Sequence, residues 1–121
     1  MTHRHKRGAQ LVEQLSPGFE ADLRSKLGAI APDFVDYTIE FPFCEIYSRP
    51  GLDIRSRQFV TISALVTLGA FDQLRTHLRI CRTIGVTATE VSEVIMQLAV
   101  YSGWPRALSA LTIAAEEFRE E

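Results

Sequence analysis

Apolar residues recur along this chain at three- and four-residue intervals, and no stretch alternates for long. That is the spacing of helices packed on one face, so the pattern predicts an all-α domain of six to seven helices joined by short links. A weakly amphipathic first helix, "HKRGAQLVEQL", is broken by Pro17 and Gly18. The second runs through Ala21, Leu23 and Leu27, with Ser16 as its expected cap, Pro17 in its opening turn and Gly28 as its stop. "PDFVDYTIEFPFCEIYSRPG" then reads as one long helix that Pro42 must kink or divide.

The second half is punctuated more clearly. Asp53 is placed to cap a helix over 54–68, which Gly69 ends. A helix over 71–84 stops at Gly85, with Leu74, His77, Leu78 and Cys81 on one face. Thr87 and Glu90 have the spacing of a capping box, and Pro105 opens the last helix. From Phe59 onward the helix over 54–68 is apolar nearly all round. One small domain can hardly cover such a helix, so a homo-oligomer is expected.

A length of 121 residues fits one compact domain, and 46% hydrophobic residues suffice for a core. Residues 1–8 are basic and are expected to form a flexible tail, leaving 9–121 as the domain. A formal net charge of −2 argues against general nucleic-acid binding, which needs a basic excess. The longest uncharged apolar run, 59–71, is too short for a bilayer, which takes about 20 residues. The start lacks the apolar segment of a secretory signal, so a cytoplasmic protein without membrane partners is expected. Cys44 and Cys81 are far apart in sequence and are expected as buried free thiols.

The chemistry centres on "THLRICR", where His77 stands four residues before Cys81. As a metal pair the two are short of the three or four ligands that zinc takes, and no metal is expected. A redox pair needs two neighbouring cysteines, and Cys81 has no local partner. Acid–base work by His77 and a hydrogen-bonded core histidine remain open on spacing alone.

Several pieces carry a resemblance: the "YSRPGLDIRSR" turn, the "TLGAFDQLRTH" segment, "GVTATEVSEVIMQLAVYSGWPRA" and the closing "AEEF". Over residues 40–118 the chain resembles the carboxymuconolactone decarboxylase family. The resemblance implies the all-helical alkylhydroperoxidase-D-like fold and a ring-shaped homo-oligomer, a hexamer or trimer. It implies a cofactor-free carboxy-lyase acting on a small lactone or cyclic carboxylate, 4-carboxymuconolactone-like, in aromatic-compound catabolism or a related pathway. Peroxidase relatives carry CxxCxxxH; here Ala70 and Gln73 stand at the cysteine positions, so thiol peroxidase activity is not expected.

The same resemblance places His77 as proton donor or electrostatic anchor and Glu45 as an acid that orients it. Arg49, Arg55 and Arg57 fall where substrate carboxylates would be bound, because the guanidinium fork pairs with carboxylate oxygens. Tyr101 and Trp104 are read as pocket wall or core. Cys44 stands where the family usually has a glycine, and Ser109 where asparagine is common. The alternatives are a non-catalytic oligomeric binding or scaffold protein on the same fold, or a related lyase or isomerase acting on another small cyclic acid.

Overall fold

The computed structural model describes residues 2–119. Among them are seven α-helices, one π-helical segment and no strand. The elements are α1 (His3–Leu15), α2 (Phe19–Leu27), α3 (Pro32–Thr38), the π-helical segment (Ile39–Ile46), α4 (Ile54–Leu68), α5 (Phe71–Thr83), α6 (Ala88–Ser102) and α7 (Trp104–Glu117). They group into two compact units, one up to Ile54 and the other from Arg55 onward.

In the first unit α1 packs along the π-helical segment, and Val12, Leu15, Val35, Ile39 and Phe43 are buried. The Phe43 ring meets Phe19 at 5.6 Å between centroids and Tyr47, edge-on, at 5.3 Å. Three expectations are corrected here. The basic stretch 1–8 is not a tail in its described part: α1 begins at His3, capped by the Thr2 hydroxyl, which accepts from His5 N–H at 3.0 Å. Residue 1 lies outside the described residues. Ser16 does not cap α2 but ends α1, its N–H donating to the Val12 carbonyl at 2.7 Å. The Pro17–Gly18 turn occupies the next two residues, and Gly18 precedes α2 at φ 82°, a conformation that favours glycine. The expected long helix is divided, but before Pro42. After Thr38 the backbone widens into π turns, and Tyr47 N–H donates to the Pro42 carbonyl, five residues back, at 2.8 Å.

In the second unit Ile62 and Val66 of α4, Leu74, Leu78 and Cys81 of α5, and Val91 and Ile95 of α6 form one core. Ala107, Ala110 and Ala114 give α7 a narrow buried face on it. The capping box is present: Thr87 Oγ1 accepts from Glu90 N–H at 3.1 Å, and Glu90 Oε1 accepts from Thr87 N–H at 3.0 Å. Glu117 ties α7 to α5, accepting from Arg75 at 3.1 Å and Arg79 at 2.8 Å. Burial alone would raise the Glu117 carboxyl pKa, but Arg79 and Arg75 hold it below the usual range.

Candidate active site around His77

Helix spacing puts His77 one turn before Cys81, on the α5 face that also carries Leu74 and Leu78. The imidazole is half-buried and meets α4 through a side chain that the periodicity gave no role. His77 Nδ1 lies 2.9 Å from Gln58 Oε1. Gln58 is fully buried, on the same α4 face as Ile62 and Val66. Its Nε2 is buried and has no hydrogen-bond partner among the described residues. Burial pushes the His77 pKa down to about 4, so the ring is neutral near pH 7.

Cys81 is fully buried, as expected, and free. Burial pushes its thiol up to about 12, with Arg55 opposing only in part. A thiol held protonated is a poor nucleophile, and His77 and Cys81 together offer two donors where zinc takes three or four.

Arg55, in the first turn of α4, forms an ion pair with Glu90 Oε2 and lies over the Phe59 ring, 5.5 Å from its centroid. Both partners of the pair remain partly exposed. Arg57 is half-buried on the same helix. Glu45 and Arg49 belong to the first unit. Glu45, in the π-helical segment, accepts from Arg4 Nε at 2.6 Å, and Arg49 follows as an exposed residue.

Tyr101 and Trp104 are not core residues: they are 79% and 73% exposed in this chain. They flank the turn at Gly103, where α6 ends and α7 begins, and the turn carries both rings outward. Trp104 edges a hollow of about 170 Å³ with Met96, Ala99, Ala107, Leu108 and Leu111.

Two features escaped the sequence reading. Gln58 is a lone polar residue in the series Gln58, Ile62, Val66, and that interruption of a four-residue apolar repeat was its only signal. The other is His5, read as part of a tail. It is 3% exposed, with Nε2 3.0 Å from Glu20 and Nδ1 3.0 Å from Glu40. Asp36 stands 3.8 Å from Nδ1, and Arg24 pairs with both Glu20 and Asp36. Burial would lower the His5 pKa, but the bonds to Glu40 and Glu20 and the charges of Glu20 and Asp36 raise it overall. The signal lay 15 to 35 residues away in sequence, beyond any local pattern.

The family model of the carboxymuconolactone decarboxylase family matches residues 32–116, most of the chain. The chain belongs to this family. Membership agrees with the all-α architecture, which the carboxymuconolactone decarboxylase resemblance implied. A 4-carboxymuconolactone decarboxylase of Acinetobacter baylyi is 41% identical over 88 residues, 73% of this chain and 66% of that protein. An uncharacterized 15.0 kDa protein from the nqo9-nqo10 intergenic region of Paracoccus denitrificans is 31% identical over 117 residues, 94% of this chain and 87% of that protein. The nitrosuccinic acid decarboxylase npaB of Metarhizium robertsii is 28% identical over 81 residues, 67% and 57% of the two chains. The match thus spans less than two thirds of each relative named as a decarboxylase. No helix among the described residues is long and apolar enough to cross a membrane.

Proposed function

We propose that this chain is a decarboxylase of a small carboxylated lactone or a similar cyclic acid, working without a cofactor, with His77 as its acid–base group. The observation that carries the reading is the His77 ring: half-buried, held by a polar partner, and neutral near pH 7. Two relatives bearing decarboxylase names support the reaction class.

The chemistry is balanced by one proton. The bond between the ring carbon and the carboxylate carbon breaks, and carbon dioxide leaves. The electron pair passes through the conjugated system onto the lactone oxygen. The resulting dienolate takes a proton on carbon and restores the lactone. His77 starts neutral. A substrate carboxylate beside it favours the imidazolium: the neutral ring takes up one proton from solvent as the anion binds and then delivers it to carbon, so one solvent proton is consumed for each carbon dioxide released. Arg55 and Arg57 are the candidate carboxylate binders on the unit that carries His77; Arg49, as a carboxylate binder, and Glu45, as the acid that orients the histidine, are candidates by the family resemblance alone. Arg55 remains partly exposed despite its pairing with Glu90, so its fork is not sealed from a ligand.

A homo-oligomer, hexameric or trimeric, belongs to the same proposal. Val60 and Leu68 on α4, Val100 on α6 and Leu108 on α7 are exposed apolar side chains, as are Tyr101 and Trp104. Tyr101 and Trp104 would then line a pocket or interface completed by another subunit. The competing reading, a non-catalytic binding protein, predicts no turnover with any lactone.

The test is an assay with 4-carboxymuconolactone, following loss of substrate and release of carbon dioxide. His77→Gln keeps a polar side chain of similar reach. It is expected to stay folded and to lose about 10²–10⁴-fold in kcat, the usual worth of general acid–base catalysis. A folded, fully active His77→Gln protein removes His77 from the mechanism. No turnover by the wild-type protein on carboxymuconolactone or on other small carboxylated lactones removes the decarboxylase reading.

A further inference from the structure

We propose that Gln58 is the positioning residue of His77: its side-chain oxygen holds the proton on Nδ1 and leaves Nε2 as the ring's proton-accepting atom. The inference deepens the acid–base role proposed above and rests on that reading for its catalytic consequence, though not for its structural content.

Three observations carry it. The first is the contact itself, 2.9 Å from Oε1 to Nδ1, linking α4 to α5. An amide oxygen only accepts, so a neutral imidazole meeting it through Nδ1 must carry its hydrogen there. Nε2 then holds the lone pair. The second is the position. Gln58 occupies a fully buried site on the α4 face whose next two turns carry Ile62 and Val66. A leucine or methionine would fill that site without polar atoms. The third is the orphaned amide nitrogen: Nε2 of Gln58 is buried with no partner among the described residues. Leaving such a donor unsatisfied is unfavourable. Packing therefore does not explain a glutamine here, whereas a ring that must be held in one tautomer does. The opposite orientation of the amide would put its NH2 on Nδ1 and strand the oxygen instead. It would also move the ring hydrogen to Nε2, so the two arrangements are chemically opposite and can be told apart.

The consequence is directional. With Nδ1 holding its hydrogen on Gln58, Nε2 is the ring nitrogen that carries the lone pair and takes up a proton. A carboxylate in place of the amide would stabilise the imidazolium and change the resting charge of the ring. A glutamine stabilises one neutral tautomer and leaves charging to the substrate.

The experiment is long-range proton–nitrogen NMR of the full-length, 15N-histidine-labelled protein at pH 7. It needs neither substrate nor activity, so it separates this inference from the decarboxylase reading. The expected spectrum shows His77 neutral, with a protonated Nδ1 and an unprotonated Nε2. In Gln58→Glu the His77 titration is expected to move upward by at least one pH unit, while Gln58→Met is expected to give mixed tautomers. Once a substrate is in hand, Gln58→Met should lower kcat with little change in KM. A wild-type ring protonated on Nε2 at pH 7 overturns the proposal. So does an unchanged His77 tautomer in a folded Gln58→Met protein. If neither variant folds, the wild-type spectrum alone decides.

Discussion

Gly8 of α1 lies flush against the backbone carbonyl of Ile39, so closely that a Cβ on Gly8 would overlap the Ile39 oxygen. A glycine inside a helix ordinarily costs about 0.5–1 kcal/mol relative to alanine. Here the sign reverses, because the obstacle is backbone that cannot rotate away. Gly8→Ala is expected to destabilise the protein by about 1–3 kcal/mol, as overpacking does. A urea melt reads it directly, and a stabilised variant would show that α1 does not press on the π-helical segment.

His5 and His77 predict opposite pH dependences. His5 has a raised pKa in the folded state, in a cluster of Glu20, Asp36, Glu40 and Arg24. Its contribution is complete below 6.5, the ordinary value, and is lost as pH rises through the folded pKa. His77 has a folded pKa lowered from 6.5 to about 4, so the unfolded chain binds its proton first. Its effect is a loss of stability as pH falls from 6.5 toward 4, on the order of 2–3 kcal/mol. Denaturation midpoints across pH 4–9 are therefore expected to fall off on both sides. His5→Gln should flatten the alkaline side alone, and His77→Gln should remove part of the acid side.

The first helix shows why sequence reading and structure part company. "MTHRHKR" is polar and basic, and nothing within it asks for burial. His5 is buried because three carboxylates from α2, α3 and the π-helical segment converge on it. By contrast α5 and α6 were legible, since Gly69, Gly85 and the Thr87–Glu90 box act within a few residues. The π turns had no such local mark, because Pro42 signals a break without saying how the backbone accommodates it. His77 was legible from its apolar neighbours. Gln58 was not, because a single polar residue in an apolar helix has no meaning until its partner is known.

Cys81 predicts chemical inertness. A fully buried thiol with its pKa pushed to about 12 carries almost no thiolate near neutrality. Reaction with a disulfide reagent at pH 8 is expected only at the rate of unfolding, and thiol-dependent peroxide reduction is expected to be absent. Rapid labelling of Cys81 in the folded protein, or peroxidase turnover lost in Cys81→Ser, would contradict this.

The exposed apolar side chains predict association. Sedimentation at micromolar concentration is expected to show a multiple of 13.6 kDa. Trp104→Glu and Val60→Glu, at exposed positions of α7 and α4, are expected to shift the population toward the monomer with helicity retained. A wild-type protein that sediments only as a monomer would leave those side chains unexplained by self-association.

Glu90 divides its two oxygens between two tasks: Oε1 closes the capping box at the start of α6, and Oε2 holds Arg55. Order at the first turn of α6 and neutralisation of a cation on α4 are therefore coupled through one carboxylate. A fray that carries Glu90 away leaves the guanidinium without this counter-charge and makes it a stronger site for any anion nearby. An anion that captured Arg55 would in turn loosen the start of α6. Through one side chain, the stability of a helix end and the affinity of an arginine for carboxylates become reciprocal quantities.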